Sequence, residues 1–94
     1  MADDSVVKEL TVRNKMGLHA RPAAMIVQTA NKFPCEVQLE KDGQNVNGKS
    51  IMGVLMLAAA QGSTVTVRAE GEQAQQAADA IAALFDKGFN EPLT

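Results

Sequence analysis

The apolar positions along this chain switch repeatedly between two periods. Leu10 and Val12 fall on one side of a β-branched stretch, 6–12, which predicts a strand. Ala23, Ile26, Val27 and Ala30 recur at i, i+3, i+4 and i+7, one face of a helix. Pro22 fits only the first turn of that helix, where its missing N–H is no loss, so the N-cap is expected at Leu18 or His19. The helix should close near Asn31, ahead of Phe33-Pro34. Cys35, Val37 and Leu39 alternate with Glu36, Gln38 and Glu40, the period of a strand with one wet face. Asp42-Gly43 supplies a hairpin turn into a short or edge strand at 44–48, where Val46 is the one large apolar residue.

The second half repeats the alternation. Ser50 is placed to cap a helix expected to run to about Ala60 and to close at Gly62. Val65, Val67 and Ala69 alternate with Thr64, Thr66 and Arg68 in a fourth strand, which Gly71 breaks. Ala74, Ala77, Ala78, Ile81, Leu84 and Phe85 keep a helical stripe ending at Gly88, leaving 89–94 as a tail and 1–5 as a frayed acidic start. The order β-α-β-β-α-β-α, with one polar strand face and one apolar helix face, predicts a two-layer α+β domain with helices stacked on one side of a sheet. The 94 residues suffice for one such domain and no second.

Composition removes several function classes. The net charge is −2 from nine basic and eleven acidic side chains, without a basic stripe, so no nucleic-acid partner is expected. The dense apolar run 51–60 is half the length needed to cross a bilayer, so no membrane insertion is expected. The acidic start Met1-Ala2-Asp3-Asp4 does not fit a secretory signal, and a cytoplasmic chain is expected. One His and one Cys on different elements do not make a zinc site, no glycine-rich nucleotide loop follows a strand, and no metal or cofactor is expected. Cys35 reads as a small buried hydrophobe on the inner face of its strand.

His19 is the only histidine, and it falls where the first helix begins, two residues before Arg21. The bland reading is an imidazole that caps a helix or sits in a loop. The chemical reading starts from the helix N-terminus, whose unsatisfied N–H groups and partial positive charge favour an anion and disfavour an imidazolium. A neutral ring nitrogen beside the planar donor fork of Arg21 is suited to hold a phosphoryl group covalently and briefly. The segment Gly48-Lys49-Ser50-Ile51-Met52-Gly53-Val54-Leu55-Met56-Leu57 is the second feature. If Val54, Leu57 and Ala58 point inward, then Ile51, Met52 and Leu55 are left outside as a docking patch; the alternative is a helix buried on more sides. Ser50 is an N-cap by type, and phosphorylation there would set close to two negative charges beside that patch.

Gly17-Leu18-His19-Ala20-Arg21-Pro22-Ala23, followed some thirty residues on by Gly48-Lys49-Ser50-Ile51-Met52-Gly53, resembles the HPr family, the histidine-containing phosphocarriers of the bacterial phosphoenolpyruvate-dependent phosphotransferase system. The resemblance runs from about Val6 to Phe89, and makes 1–94 a single HPr-like domain with its core at about 6–89. It implies an open-faced β-sandwich of four antiparallel strands, order 1-4-2-3, with three helices on one face. It further implies a carrier rather than an enzyme: enzyme I passes a phosphoryl group to Nδ1 of His19, and the carrier hands it to an enzyme IIA protein. Arg21 would contact the phosphoryl group, with the backbone N–H groups of Ala20 and Arg21 in support.

Ala20, Ala24, Ile51, Met52, Leu55 and Met56 would form the docking surface, and Ser50 would be the target of a serine kinase/phosphorylase. At position 24 some sugar-type members carry a hydroxyl, absent here. The ending Leu84-Phe85-Asp86-Lys87-Gly88-Phe89 is similar to the nitrogen-related branch, whereas 49–53 is similar to kinase-regulated members. A monomer is expected. The other reading of the residues is a regulatory protein-binding module acting through the Ile51/Met52/Leu55 patch.

Overall fold

The structure, a computed structural model, describes residues 4–94; positions 1–3 of the acidic start lie outside them, and Ser5 already belongs to a strand. The elements are β1 (Ser5–Thr11), α1 (Ala20–Ala30), β2 (Glu36–Lys41), β3 (Gln44–Asn47), α2 (Ile51–Met56), β4 (Thr64–Glu70) and α3 (Ala74–Asp86), followed by a short 3-10 turn at Gly88–Asn90. The four strands form one antiparallel sheet in the order β1-β4-β2-β3. This is the open-faced α+β arrangement that the alternating strands and the resemblance both lead to.

The sheet separates its faces by period. Leu10 pairs with Val65, Val37 with Ala69, and Leu39 with both Val67 and Val46, so the inner face is a continuous apolar layer. Glu36, Gln38 and Arg68 point the other way and are exposed. Asp42 and Gly43 both take positive φ, 51° and 84°, the backbone that a two-residue hairpin requires. On edge strand β1, Lys8 reaches Asp79 of α3 at 2.7 Å. A charge placed there discourages pairing with another sheet edge.

Helix α3 packs on this layer through small side chains, and α1 packs beside α3 and α2 with Ile26 and Val27 turned inward. Ala74, Ala77 and Ala78 are fully buried and let α3 approach the strands closely, with Ile81 and Phe85 filling the space beyond them. Leu84, expected on the same stripe, is only half-buried. Pro22 is the third residue of α1, within the first turn as its missing N–H demands.

Two expectations need correction. The second helix does not reach Ala60: it closes at Met56, and Ala58 leaves it with φ +49°. Ala58 therefore faces solvent, and Ala59 is buried in its place. The early exit lets the Ala59 carbonyl accept the Leu18 N–H at 2.9 Å, which ties this loop to the start of α1. The end of the chain, read as a tail, is docked. Gly88, Phe89 and Asn90 have φ of +59°, +55° and +60°, three consecutive left-handed residues. Left-handed backbone at a non-glycine residue costs on the order of 1 kcal/mol. Burial of Phe89, whose ring lies 5.0 Å from that of Phe85, contributes about 1.5–3 kcal/mol and holds the reversal in place.

Candidate functional site

His19 is the N-cap residue of α1, in extended backbone, and its side chain does not cap the helix. Its N–H is taken by the Gly17 carbonyl at 3.0 Å and its carbonyl by Ala23 N–H at 3.0 Å. Pro22 has no N–H, so the free donors of the first turn are those of Ala20 and Arg21, both in exposed residues. Gly17 makes the approach possible. Its φ is +72°, and a Cβ there would lie 2.6 Å from the Ala59 carbonyl oxygen. The ring is 39% exposed, enough for a reacting group to reach it.

The ring does not stand alone. Both carboxylate oxygens of Glu91 lie 2.9 Å from His19 Nε2. The Glu91 side chain is only 7% exposed, and Asn14 Nδ2 donates to its Oε1 at 2.9 Å and to the Gly17 carbonyl at 2.8 Å. Asn14 is fully buried, and its own Oδ1 is left without a partner. The two amide protons thus go to the carboxylate and the loop, at the cost of an unsatisfied acceptor, about 1–3 kcal/mol. The His19 hydrogen bond, then that of Asn14 and the charges of His19 and Arg21, hold the Glu91 carboxyl below the usual glutamate range against the opposing effect of burial. The Lys15 N–H bonds the Pro92 carbonyl at 2.9 Å and fastens the same segment.

Neither Asn14 nor Glu91 was among the residues the sequence singled out. A usable signal existed: a phenylalanine just beyond the last helix, at 89, marks a chain end that turns back into the core and carries the next charged residue with it. The carboxylate sets a buried negative charge against the far edge of the ring, an influence separate from that of the helix end.

The second centre lies on α2, which packs against α1. Ile51, Met52 and Met56 are 45%, 69% and 62% exposed, while Leu55 is half-buried against the core. Val54 is buried, as expected. Ala20 is exposed and Ala24 half-buried on α1. Ser50 caps α2 by accepting the Gly53 N–H at 3.1 Å, and Lys49 Nζ donates to the Phe33 carbonyl at 2.8 Å. Met16, in the loop before His19, is 67% exposed and was not singled out. Cys35 is buried, as expected. Among the described residues no three His, Cys, Asp or Glu side chains are grouped to hold a metal ion, and no helix is long and apolar enough to cross a membrane.

An exposed imidazole, a guanidinium and free amide donors thus meet at one helix start, on a small α+β domain that also exposes an apolar patch on α2. Residues 6–87 match the family model described as the PTS HPr component phosphorylation site. The chain is 52% identical over 83 residues to the phosphocarrier protein HPr of Xylella fastidiosa, covering 88% of this chain and 93% of that one. A crystal structure of HPr from Thermoanaerobacter tengcongensis superimposes with a TM-score of 0.84 at 43% identity, covering 99% of this chain and 100% of the other. A crystal structure of Crh from Bacillus subtilis, described as a domain-swapped dimer, matches with a TM-score of 0.68 at 47% identity, over 93% and 97% of the two chains. The chain belongs to the HPr family, the phosphocarrier proteins of the phosphotransferase system, which carry a group and are not catalytic enzymes.

Proposed function

We propose that this chain accepts a phosphoryl group from enzyme I on His19 and passes it to an enzyme IIA protein, as a cytoplasmic monomer. The observation that carries the reading is the half-exposed imidazole at the start of α1, beside Arg21 and the free N–H groups of Ala20 and Arg21. In the transfer a ring nitrogen of His19 attacks phosphorus while the bond to the donor breaks, its electron pair leaving with the donor. The guanidinium and the two amides face the phosphoryl oxygens, where charge-assisted hydrogen bonds are about twice as strong as neutral ones. The helix-end field adds only about 0.3–2 kcal/mol, which suits a group that must leave again.

Ile51, Met52, Leu55 and Met56, with Ala20 and Ala24, form the surface that meets both partners. Phosphorylation of Ser50 by a serine kinase would place a dianion beside that surface and weaken docking while leaving His19 in place. Incubation with enzyme I and phosphoenolpyruvate should add one phosphoryl group, stable to alkali, labile to acid and absent from His19→Ala. An unphosphorylated wild-type chain, or a modification retained in His19→Ala, overturns the reading.

A second reading rests on the exposure of Ile51, Met52 and Met56. In it the chain is a regulatory binding module switched at Ser50, with His19 incidental. A partner gained by Ser50→Asp, with nothing lost in His19→Ala, would select it.

A further inference from the structure

We infer that Glu91 is a positioning residue for the phosphoryl carrier: its carboxylate holds a proton on His19 Nε2 and so presents Nδ1 as the attacking atom. The inference rests on the reading of His19 as the acceptor and deepens it. At neutral pH a carboxylate has only acceptors to offer, so a ring nitrogen 2.9 Å from both of its oxygens has to be the donor. With the hydrogen on Nε2, the neutral ring keeps its lone pair on Nδ1. Nδ1 makes no hydrogen bond among the described residues, and the edge of the ring that bears it is the one not occupied by Glu91. The arrangement parallels a carboxylate that orients a histidine base through its far nitrogen.

The same contact follows the charge through the step. The Nδ1 lone pair forms the bond to phosphorus, and the donor leaves with the electrons of the bond that breaks. The ring, still bearing its Nε2 hydrogen, has then acquired a positive charge, directly opposite the carboxylate. When the phosphoryl group moves on, the P–Nδ1 electrons return to the ring and no proton has been exchanged with solvent. Glu91 is suited to this because it is fixed: Asn14 holds its Oε1, the Lys15–Pro92 bond anchors the next residue, and the buried Phe89 sets the turn that delivers it.

The test compares the wild type with Glu91→Gln, which keeps an acceptor and loses the charge, and with Glu91→Ala. One measurement needs no phosphoryl donor. In proton NMR of nitrogen-15-labelled protein, the wild type should show a hydrogen-bonded imidazole N–H on Nε2 that survives exchange with water. It should be weakened in Glu91→Gln and lost in Glu91→Ala. The second measurement is the rate of phosphoryl uptake from enzyme I, expected to fall roughly tenfold in Glu91→Gln and further in Glu91→Ala. Circular dichroism identifies a variant that has merely unfolded, and in that event the wild-type N–H signal still decides. A wild-type proton on Nδ1, or uptake by Glu91→Gln and Glu91→Ala at the wild-type rate, overturns the inference. Failure of the wild type to take up phosphate would instead remove the carrier reading, with the position of the proton still measurable.

Discussion

The His19 end and the α2 patch are neighbours built on opposite principles. Around the ring, two stretches far apart in the chain, 14–19 and the segment at Glu91, converge through hydrogen bonds, and the carboxylate and amide that fix the geometry are withdrawn from water. On α2, one contiguous run of six residues presents apolar side chains to solvent and organises itself with little more than a serine cap. Chemistry at one atom needs groups held from several sides, whereas docking needs area and tolerates adjustment, for which methionine is well suited. On the function proposed above, a relay that meets more than one partner would gain from keeping the two apart: the reacting atom would stay the same while the surface around it adapts.

That division can be broken experimentally from either side. The largest effect is expected from Arg21→Ala. Loss of charge-assisted hydrogen bonds worth about 1.5–3 kcal/mol should lower kcat/KM for uptake from enzyme I by roughly 10- to 100-fold. Because Arg21 is exposed, thermal unfolding should change by less than about 0.5 kcal/mol. Met52→Asp acts on the other region. It should raise the KM for the carrier about tenfold at nearly constant kcat, the signature of lost uniform binding. The acid lability of the phosphorylated form should not change, since that belongs to the ring. Equal effects of the two substitutions on kcat would show that the regions are not separate.

The smallest effect is a pH dependence of stability confined to the polar region. The folded-state value of Glu91 lies below its ordinary one, so its contribution is complete above the usual glutamate range, about 4.3. It is lost as pH falls through the lowered value. The difference in melting temperature between wild type and Glu91→Gln should therefore be constant above about pH 5 and shrink on further acidification. A difference that grows with acid would reverse the sign assigned to this carboxyl.

The contrast between the regions also governs how much of each was legible in the sequence. The helical stripe from Ala23 to Ala30, the alternation through Val37 and Leu39, and Ser50 as a cap are local patterns, and each reappears in the fold. The patch on α2 is local too, and Ile51, Met52 and Met56 are exposed as expected. Leu55, expected outside with Ile51 and Met52, is instead half-buried against the core: the helix is shorter than its apolar run, and the loop after it is tied to the distant Leu18 through the Ala59 carbonyl. The polar site was legible only in its N-terminal third. His19 and Arg21 announce themselves by type and position, but the contact from His19 to Glu91 spans 72 positions and that from Asn14 spans 77. A glutamate near a chain end carries no periodic signal, and only the buried Phe89 before it hints that it is held.

The left-handed reversal at Gly88–Asn90 has a practical corollary for anyone preparing this protein. Thr94 lies three positions after Glu91, at most about 11 Å of extended chain. A purification handle or fluorescent fusion joined after Thr94 would thus sprout beside the imidazole and crowd whatever comes to it, whereas the same appendage ahead of Ser5 enters along a sheet edge.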